Sequence, residues 1–198
     1  MNDSPAPASR RIVAVVSPYN EGRAIAAVVR ECQRHADGVV VVDDASSDDT
    51  AERAALPGVD VLRHPINLGQ GAALQTGIAR ALALGATHVA TLDADGQHDP
   101  AEIDRLVKAM DAAGAQVALG SRFLGAAVGI PAHRRAVLRL AVLFTRLTTG
   151  LRVTDCHNGF RVFSADAARR LRILQNRMAH ASEILEEISR KRLPYVEV

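Results

Sequence analysis

Apolar and polar positions recur along this chain with two different periods, and the switches between them mark its elements. Ile12–Val16 is a short apolar run that stops at Ser17-Pro18, which reads as a strand followed by a turn. Ala24–Arg34 carries Ile25, Val28 and Val29 at the spacing of one helix face. Val39–Val42 is β-branched without a break, as in a strand buried on both faces of a parallel sheet. A short helix is expected to run to Ala55, a strand to cover Val59–Leu62, and a helix to run from about Gly71 to Leu84. Thr87–Leu92 and Val117–Gly120 read as further strands. Between them, Ala101–Ala113 places Ile103, Leu106, Val107 and Met110 on one helical side. Ile184–Ile188 is again amphipathic.

Regular alternation of strand and helix predicts an α/β fold, a mostly parallel sheet with right-handed crossovers. Such sheets bind ligands beyond the carboxyl ends of their strands. Three polar clusters follow strands directly: Tyr19-Asn20-Glu21, Asp43-Asp44 and Asp93–Gln97. The crossovers therefore place all three along one edge.

Thr91–Pro100 carries the most chemistry. If the segment stays extended, alternate residues face the same way, so Asp93, Asp95 and Gln97 share one site. Three oxygen donors suit Mg²⁺ or Mn²⁺. A polar loop whose aspartates cap the next helix fits the same residues. Asp43–Thr50 either starts a helix through its Asp and Ser caps, or recognises a nucleoside by accepting from a base N–H or a ribose hydroxyl. Asn67-Leu68-Gly69-Gln70-Gly71 is glycine-rich but is not the dinucleotide fingerprint, because Leu74 stands at the third glycine and the stretch is not on the first strand–helix turn. Neither Lys108 nor Lys191 follows a glycine, so a P-loop is absent. Nicotinamide and ATP-hydrolysing enzymes are disfavoured, and the glycines are expected to let backbone run close to a ligand.

Composition narrows the classes. A chain of 198 residues with 48% hydrophobic and 23% charged residues suffices for one sizeable domain. A net charge of +2 gives no reason to propose nucleic acid as a partner. Cys32 and Cys156 form neither a disulfide framework nor a metal spacing, which fits a reducing cytoplasm. Residues 1–10 read as a flexible leader and 11–198 as a single domain. No stretch approaches the ~20 apolar residues of a membrane span, so the expectation is a protein that is soluble or lies on a membrane surface.

Charge is unevenly placed. No carboxylate falls between Asp111 and Asp155, while Arg122, Arg134, Arg135, Arg139, Arg146 and Arg152 do. Arg135, Arg139 and Arg146 share one helical stripe amid Val137, Leu138, Leu140, Val142, Leu143 and Phe144. This is either a core helix with a basic edge or a surface helix resting on lipid. Arg122 follows a strand end, where a guanidinium can meet phosphate. His98 adjoins the metal candidates but is a poor Mg²⁺ ligand, and His88 reads as packed within a strand. Glu183 opens the last amphipathic segment.

Taken in order, these pieces resemble family 2 inverting glycosyltransferases of the GT-A fold, in the dolichyl- or polyprenyl-phosphate sugar synthase-like branch. The matching stretches are Tyr19-Asn20-Glu21, Val42–Asp48, Asn67–Gly71, Asp93–His98, Gly120–Phe123, Asp155–Arg161, Glu183 and Tyr195–Val198. The resemblance implies that Pro18, Tyr19, Glu21, Asp43, Asp44 and Gly71 bind the nucleotide, with Asp93 beside it. It implies that Asp95 and Gln97, with Asp93, hold Mg²⁺ or Mn²⁺. It further implies that Arg122, with Arg134 or Arg135, meets a lipid phosphate, and that Asp155 and Glu183 lie on the acceptor side. Asp93, Asp95 and Arg122 would then carry catalysis. Departures are Ser17 in place of the usual proline, and Cys156-His157-Asn158 after Asp155. The implied reaction moves a sugar, with inversion, from a UDP- or GDP-linked donor to a polyprenyl or dolichyl phosphate at the inner face of the membrane. A hydroxyl acceptor, or a non-catalytic nucleotide-sugar-binding module, is the alternative.

Overall fold

The computed structural model describes residues 9–124, 142–156, 158–175 and 179–198. Arg134, Arg135 and Arg139, with much of the expected basic stripe, lie outside the described residues. The elements are β1 (Ile12–Val16), α1 (Ile25–His35), β2 (Gly38–Asp43), α2 (Thr50–Ala54), β3 (Val59–Arg63), α3 (Gln70–Ala83) and β4 (His88–Leu92). They continue with α4 (Glu102–Ala113), β5 (Val117–Leu119), α5 (142–149), β6 (Arg161–Ser164), α6 (Ala165–Arg170), α7 (Ala179–Arg190) and β7 (Tyr195–Glu197). Each element expected up to β5 is present, its ends shifted by at most one residue.

The strands form one seven-stranded sheet in the order β3-β2-β1-β4-β6-β5-β7. All run parallel except β6, which pairs antiparallel with both β4 and β5. That reversal has a functional consequence. The carboxyl ends of the parallel strands and the amino end of β6 meet at the same sheet edge, which brings Gly159 beside Asp93. The sequence reading missed β6 and β7. Both are short, and β6 is placed by partners distant in the chain: Thr91 and Leu119 both register with Arg161.

Strand residues alternate between two cores, one on each face. Val13 and Val15 join Val40, Val42, Leu119 and Phe163 on one face; Ile12, Ala14 and Val16 join Val39, Val41 and Val162 on the other. α1 buries Ile25, Val28, Val29 and Cys32, and α4 buries Ile103, Leu106, Val107 and Met110, each the i, i+3, i+4, i+7 stripe of an amphipathic helix. α4 stops where Gly114 adopts the left-handed conformation, with φ 59°. On the opposite face α3 lies close to the sheet, because a Cβ at Gly77 would stand 2.3 Å from Val15.

Candidate active site

A cavity of about 610 Å³ opens at the carboxyl edge of the sheet. Its walls come from the ends of four neighbouring strands and the start of two helices. β1 contributes Ser17, Tyr19 and Glu21, and β2 contributes Asp44. The loop into α3 adds Asn67, Gly69 and Gln70, and β4 adds Asp93, Ala94 and Asp95. Gly159 precedes β6, and His180 and Ala181 open α7. Four lining residues are carboxylates, and among the described lining residues there is no Lys or Arg.

The loops forming these walls are cross-laced. Asn20, at φ 57°, accepts from the Ser47 backbone N–H through its side chain, while its own N–H donates to Ser46 Oγ. The Glu21 N–H donates to Thr50 Oγ1, and Gly22 N–H to Asp48. These bonds tie the β1–α1 and β2–α2 turns into one platform. The acidic pair divides on it. Asp43 is fully buried and faces its own turn, where it accepts from Ser46 and pairs with Arg63 at 3.1 Å. Asp44 faces the cavity. Its Oδ1 accepts from Leu68 N–H at 2.9 Å and from His64 Nδ1 at 2.7 Å, and its Oδ2 from Gly69 N–H at 2.7 Å. Ser17 Oγ is buried and has no hydrogen-bond partner among the described residues.

At the other end, Gln70 Nε2 donates to Asp93 Oδ1 at 3.0 Å, and the Asp93 backbone N–H donates to His98 Nδ1. The His98 ring stacks on Phe160, 5.5 Å between centroids, so this histidine anchors the loop. Gly159 must lack a side chain, since a Cβ there would lie 2.6 Å from both Asp93 oxygens. Burial raises the Glu21 carboxyl above its usual range, and the charges of Asp95 and Asp48 add to the effect. Arg161 is buried and donates to the carbonyl of the lining residue Ala181 at 3.2 Å. Burial pushes its guanidinium down to about 10, against the opposing pull of Asp93 and Asp155.

Three expectations need correction. The extended alternation ends at Leu92. Residues 94–96 turn, with Gly96 at φ 75°, so Gln97 does not line the cavity with Asp93 and Asp95. It lines a shallower depression with Glu31 and His98, and its N–H caps Asp95 at 2.9 Å. Gly71 does not line the cavity and lies against the chain's own backbone: a Cβ there would stand 2.0 Å from the Gln175 carbonyl oxygen. Pro18 is buried behind the wall, where its carbonyl accepts from Asp44 N–H.

The expected acceptor residues form a separate group. Arg122 Nε and Nη2 make a bidentate pair with Asp155, at 2.7 and 2.9 Å, which raises the guanidinium above its ordinary value. Glu197 on β7 accepts from the N–H groups of Thr154 and Asp155, fixing the loop that carries Asp155. Glu183 accepts from Leu174 and Gln175 N–H. Sequence reasoning missed Glu197, His64, Gln70 and His180 as individuals. The glycine-rich stretch signalled Gln70; nothing local signals a clamp that spans 42 residues.

The chemistry of this donor set fits a divalent cation bound with a substrate's phosphates. Mg²⁺ is ordinarily held by one or two carboxylates plus phosphate oxygens rather than by an all-protein cage. Asp93 and Asp95 supply two, and no cluster of three or more acidic, His or Cys groups able to hold a metal occurs among the described residues.

Residues 13–172 match the family described as Glycosyl transferase family 2. The chain belongs to glycosyl transferase family 2. An undecaprenyl-phosphate mannosyltransferase of Micrococcus luteus is 33% identical over 169 residues, covering 80% of this chain and 68% of that one. A UDP-N-acetylglucosamine–dolichyl-phosphate N-acetylglucosaminyltransferase of Methanococcus voltae is 31% identical over 183 residues, covering 82% and 72%. The fold is that of glucosyl-3-phosphoglycerate synthase from Mycobacterium tuberculosis, solved with Mn²⁺, UDP and phosphoglyceric acid. Its TM-score is 0.76 at 20% identity, over 96% of this chain and 69% of that one. The cavity lies at the carboxyl ends of the parallel strands, beside β1 and β4, where the strand order reverses.

Proposed function

We propose that this glycosyltransferase moves a sugar from a nucleoside-diphosphate sugar to a polyprenyl or dolichyl phosphate, with inversion, using Mg²⁺ or Mn²⁺. One observation carries the reading: the cavity presents Glu21, Asp44, Asp93 and Asp95 without a lining Lys or Arg. A bare diphosphate is repelled by four carboxylates, whereas its complex with a divalent cation is not. The nucleoside end is assigned to Tyr19 and Asp44 and the diphosphate end to Asp93 and Asp95, and the strand order, with β1 between β2 and β4, supports that spacing.

Asp93 and Asp95 would hold the cation, with Gln70 orienting Asp93. When bound, it would supply positive charge to offset that of the departing diphosphate. An oxygen of the acceptor phosphate bonds to the anomeric carbon as that carbon's bond to the diphosphate oxygen breaks, and the diphosphate leaves with the bonding pair. The acceptor phosphate is already ionised at neutral pH, so no general base is needed; Arg122, braced by Asp155, positions it and offsets its charge. Arg134 and Arg135 are proposed to join Arg122. A hydroxyl acceptor, by contrast, needs a free base. Both candidates from sequence are engaged, Asp155 by Arg122 and Glu183 by two backbone N–H groups. The named relatives, which act on undecaprenyl and dolichyl phosphates, support the same acceptor.

A lipid acceptor implies a lipid surface. α5 exposes Leu143, Phe144 and Leu147 at 53%, 69% and 77%, next to exposed Arg146 and Arg152. It joins the loop bearing Asp155 through Arg146 Nε, which donates to the Val153 carbonyl. No helix among the described residues is long and apolar enough to cross a membrane. The proposed setting is therefore peripheral contact at the cytoplasmic face. The test is incubation with UDP- and GDP-sugars, Mg²⁺ or Mn²⁺, and polyprenyl phosphate. Sugar–lipid product is expected; turnover with hydroxyl acceptors only contradicts the acceptor, and nucleotide binding without any turnover contradicts the enzyme. Flotation on anionic liposomes checks α5, and indifference to such vesicles removes the surface contact.

A further inference from the structure

Asp44 is held more tightly than a carboxylate that only lines a wall. Its Oδ1 accepts from Leu68 N–H and from His64 Nδ1, and so has both lone pairs committed. Its Oδ2 accepts, among the described residues, from Gly69 N–H alone, leaving one acceptor position. A carboxylate only accepts, so His64 Nδ1 donates to it, and the ring's Nε2 lies 3.1 Å from Thr76 Oγ1. The His64 backbone N–H donates to the Asp43 carbonyl at 2.9 Å, which fixes the ring's root to the same turn. His64 does not line this cavity. It acts through Asp44.

Position says which part of a ligand meets that single acceptor. Asp44 follows β2 and Asp93 follows β4, with β1 between them. Two strand spacings separate the strands by about 10 Å. In a nucleoside diphosphate whose phosphates lie at Asp93 and Asp95, the base edge is the far end, and the ribose falls between. Tyr19, 51% exposed, shares the wall with Asp44 and offers a ring on which a base can stack. Uracil presents one ring N–H at its edge. Guanine presents two parallel N–H groups, which call for two free carboxylate oxygens.

We infer that Asp44, its Oδ1 committed by His64 and Leu68, makes the nucleoside end of the cavity selective for uracil over guanine, with His64 as the positioning residue. The inference rests on the proposed nucleotide-sugar reading and adds the base. The experiment is calorimetric titration of UDP and of GDP, each with Mg²⁺, into the full chain. UDP binds at least tenfold tighter, a difference of about 1.4 kcal/mol. His64→Leu removes the Nδ1–H donor, frees a lone pair on Oδ1, and brings the two affinities to within about twofold. His64→Asn, whose amide N–H can replace Nδ1–H, keeps the preference. A purely structural role lowers the melting temperature of both variants and leaves the UDP-to-GDP ratio untouched.

GDP binding as tight as UDP by the unaltered protein overturns the selectivity, and an unchanged ratio in folded His64→Leu overturns the part given to His64. If His64→Leu does not fold, the wild-type ratio and His64→Asn decide: a ratio of ten kept by Asn supports the inference, and one lost by Asn overturns it. A uracil preference without sugar transfer removes the proposed reaction and sustains this inference. Failure of both nucleotides to bind removes both.

Discussion

The two sides of the sheet edge are built differently. From β1 to β4, each wall residue follows its own strand by a few positions, and its supports come from the adjoining turn: Asn20 with Ser46 and Ser47, Asp44 with Leu68 and Gly69. From β5 to β7, the groups that matter are fixed by carboxylates far away in the chain. Glu197 holds Thr154 and Asp155 across 43 and 42 residues, and Asp155 holds Arg122 across 33. The proposed nucleotide side is thus a set of neighbouring turns on a parallel sheet, and the proposed acceptor side is a chain of clamps. Damage on the first side should stay local and affect the donor. Damage on the second should travel and affect the acceptor.

The largest effect expected from testing this contrast is at Asp95. Asp95→Asn leaves the fold intact, because the side chain is exposed, but removes a proposed cation ligand; metal-dependent transfer falls by about 10²-fold or more. Steady-state turnover with Mg²⁺ checks it, and retained activity removes the metal role. Gly71→Ala comes next. Its Cβ meets the Gln175 carbonyl oxygen, a backbone atom, so the 171–175 loop must shift at a cost of about 1–3 kcal/mol, read from denaturant melts.

Glu197→Gln sharpens the contrast most. It replaces a charged acceptor of two loop N–H groups by a neutral one. The acceptor kcat/KM should fall about tenfold while UDP affinity stays the same, for a loss of about 1–2 kcal/mol in the clamp. Equal losses on donor and acceptor sides would show that the halves are not separable.

The smallest effect expected is at Glu21. Its folded pKa is raised above the ordinary 4.5, so stability is greatest below 4.5 and falls as pH rises through the folded value, when a charge must sit beside Asp95 and Asp48. Glu21→Gln should therefore raise the melting temperature at neutral pH, show no gain below pH 4.5, and lose its advantage when Mg²⁺ is added.

The same contrast explains what could be read from the sequence. The helices α1 and α4 and the strands β1, β2 and β4 were legible because a 3.6-residue stripe or a continuous apolar run is a local signal. Asp93 and Asp95 were legible because they directly follow such a run. Gln97 was misplaced because a turn at Gly96 broke an alternation assumed to continue. Gly71 was read as making room for a ligand because a glycine shows that something approaches, not what. β6 and the clamp of Glu197 were invisible because their partners lie 42 residues away or more, a separation that no periodicity encodes.

The central claim is that a cavity lined by Glu21, Asp44, Asp93 and Asp95 takes a nucleotide only together with a divalent cation. Calorimetric titration of UDP into the protein, with Mg²⁺ and then with excess EDTA, tests it most directly. The account predicts binding in Mg²⁺ and a loss of at least about 10²-fold in EDTA, with Asp95→Asn insensitive to the metal. Equal UDP affinity in Mg²⁺ and in EDTA would contradict it.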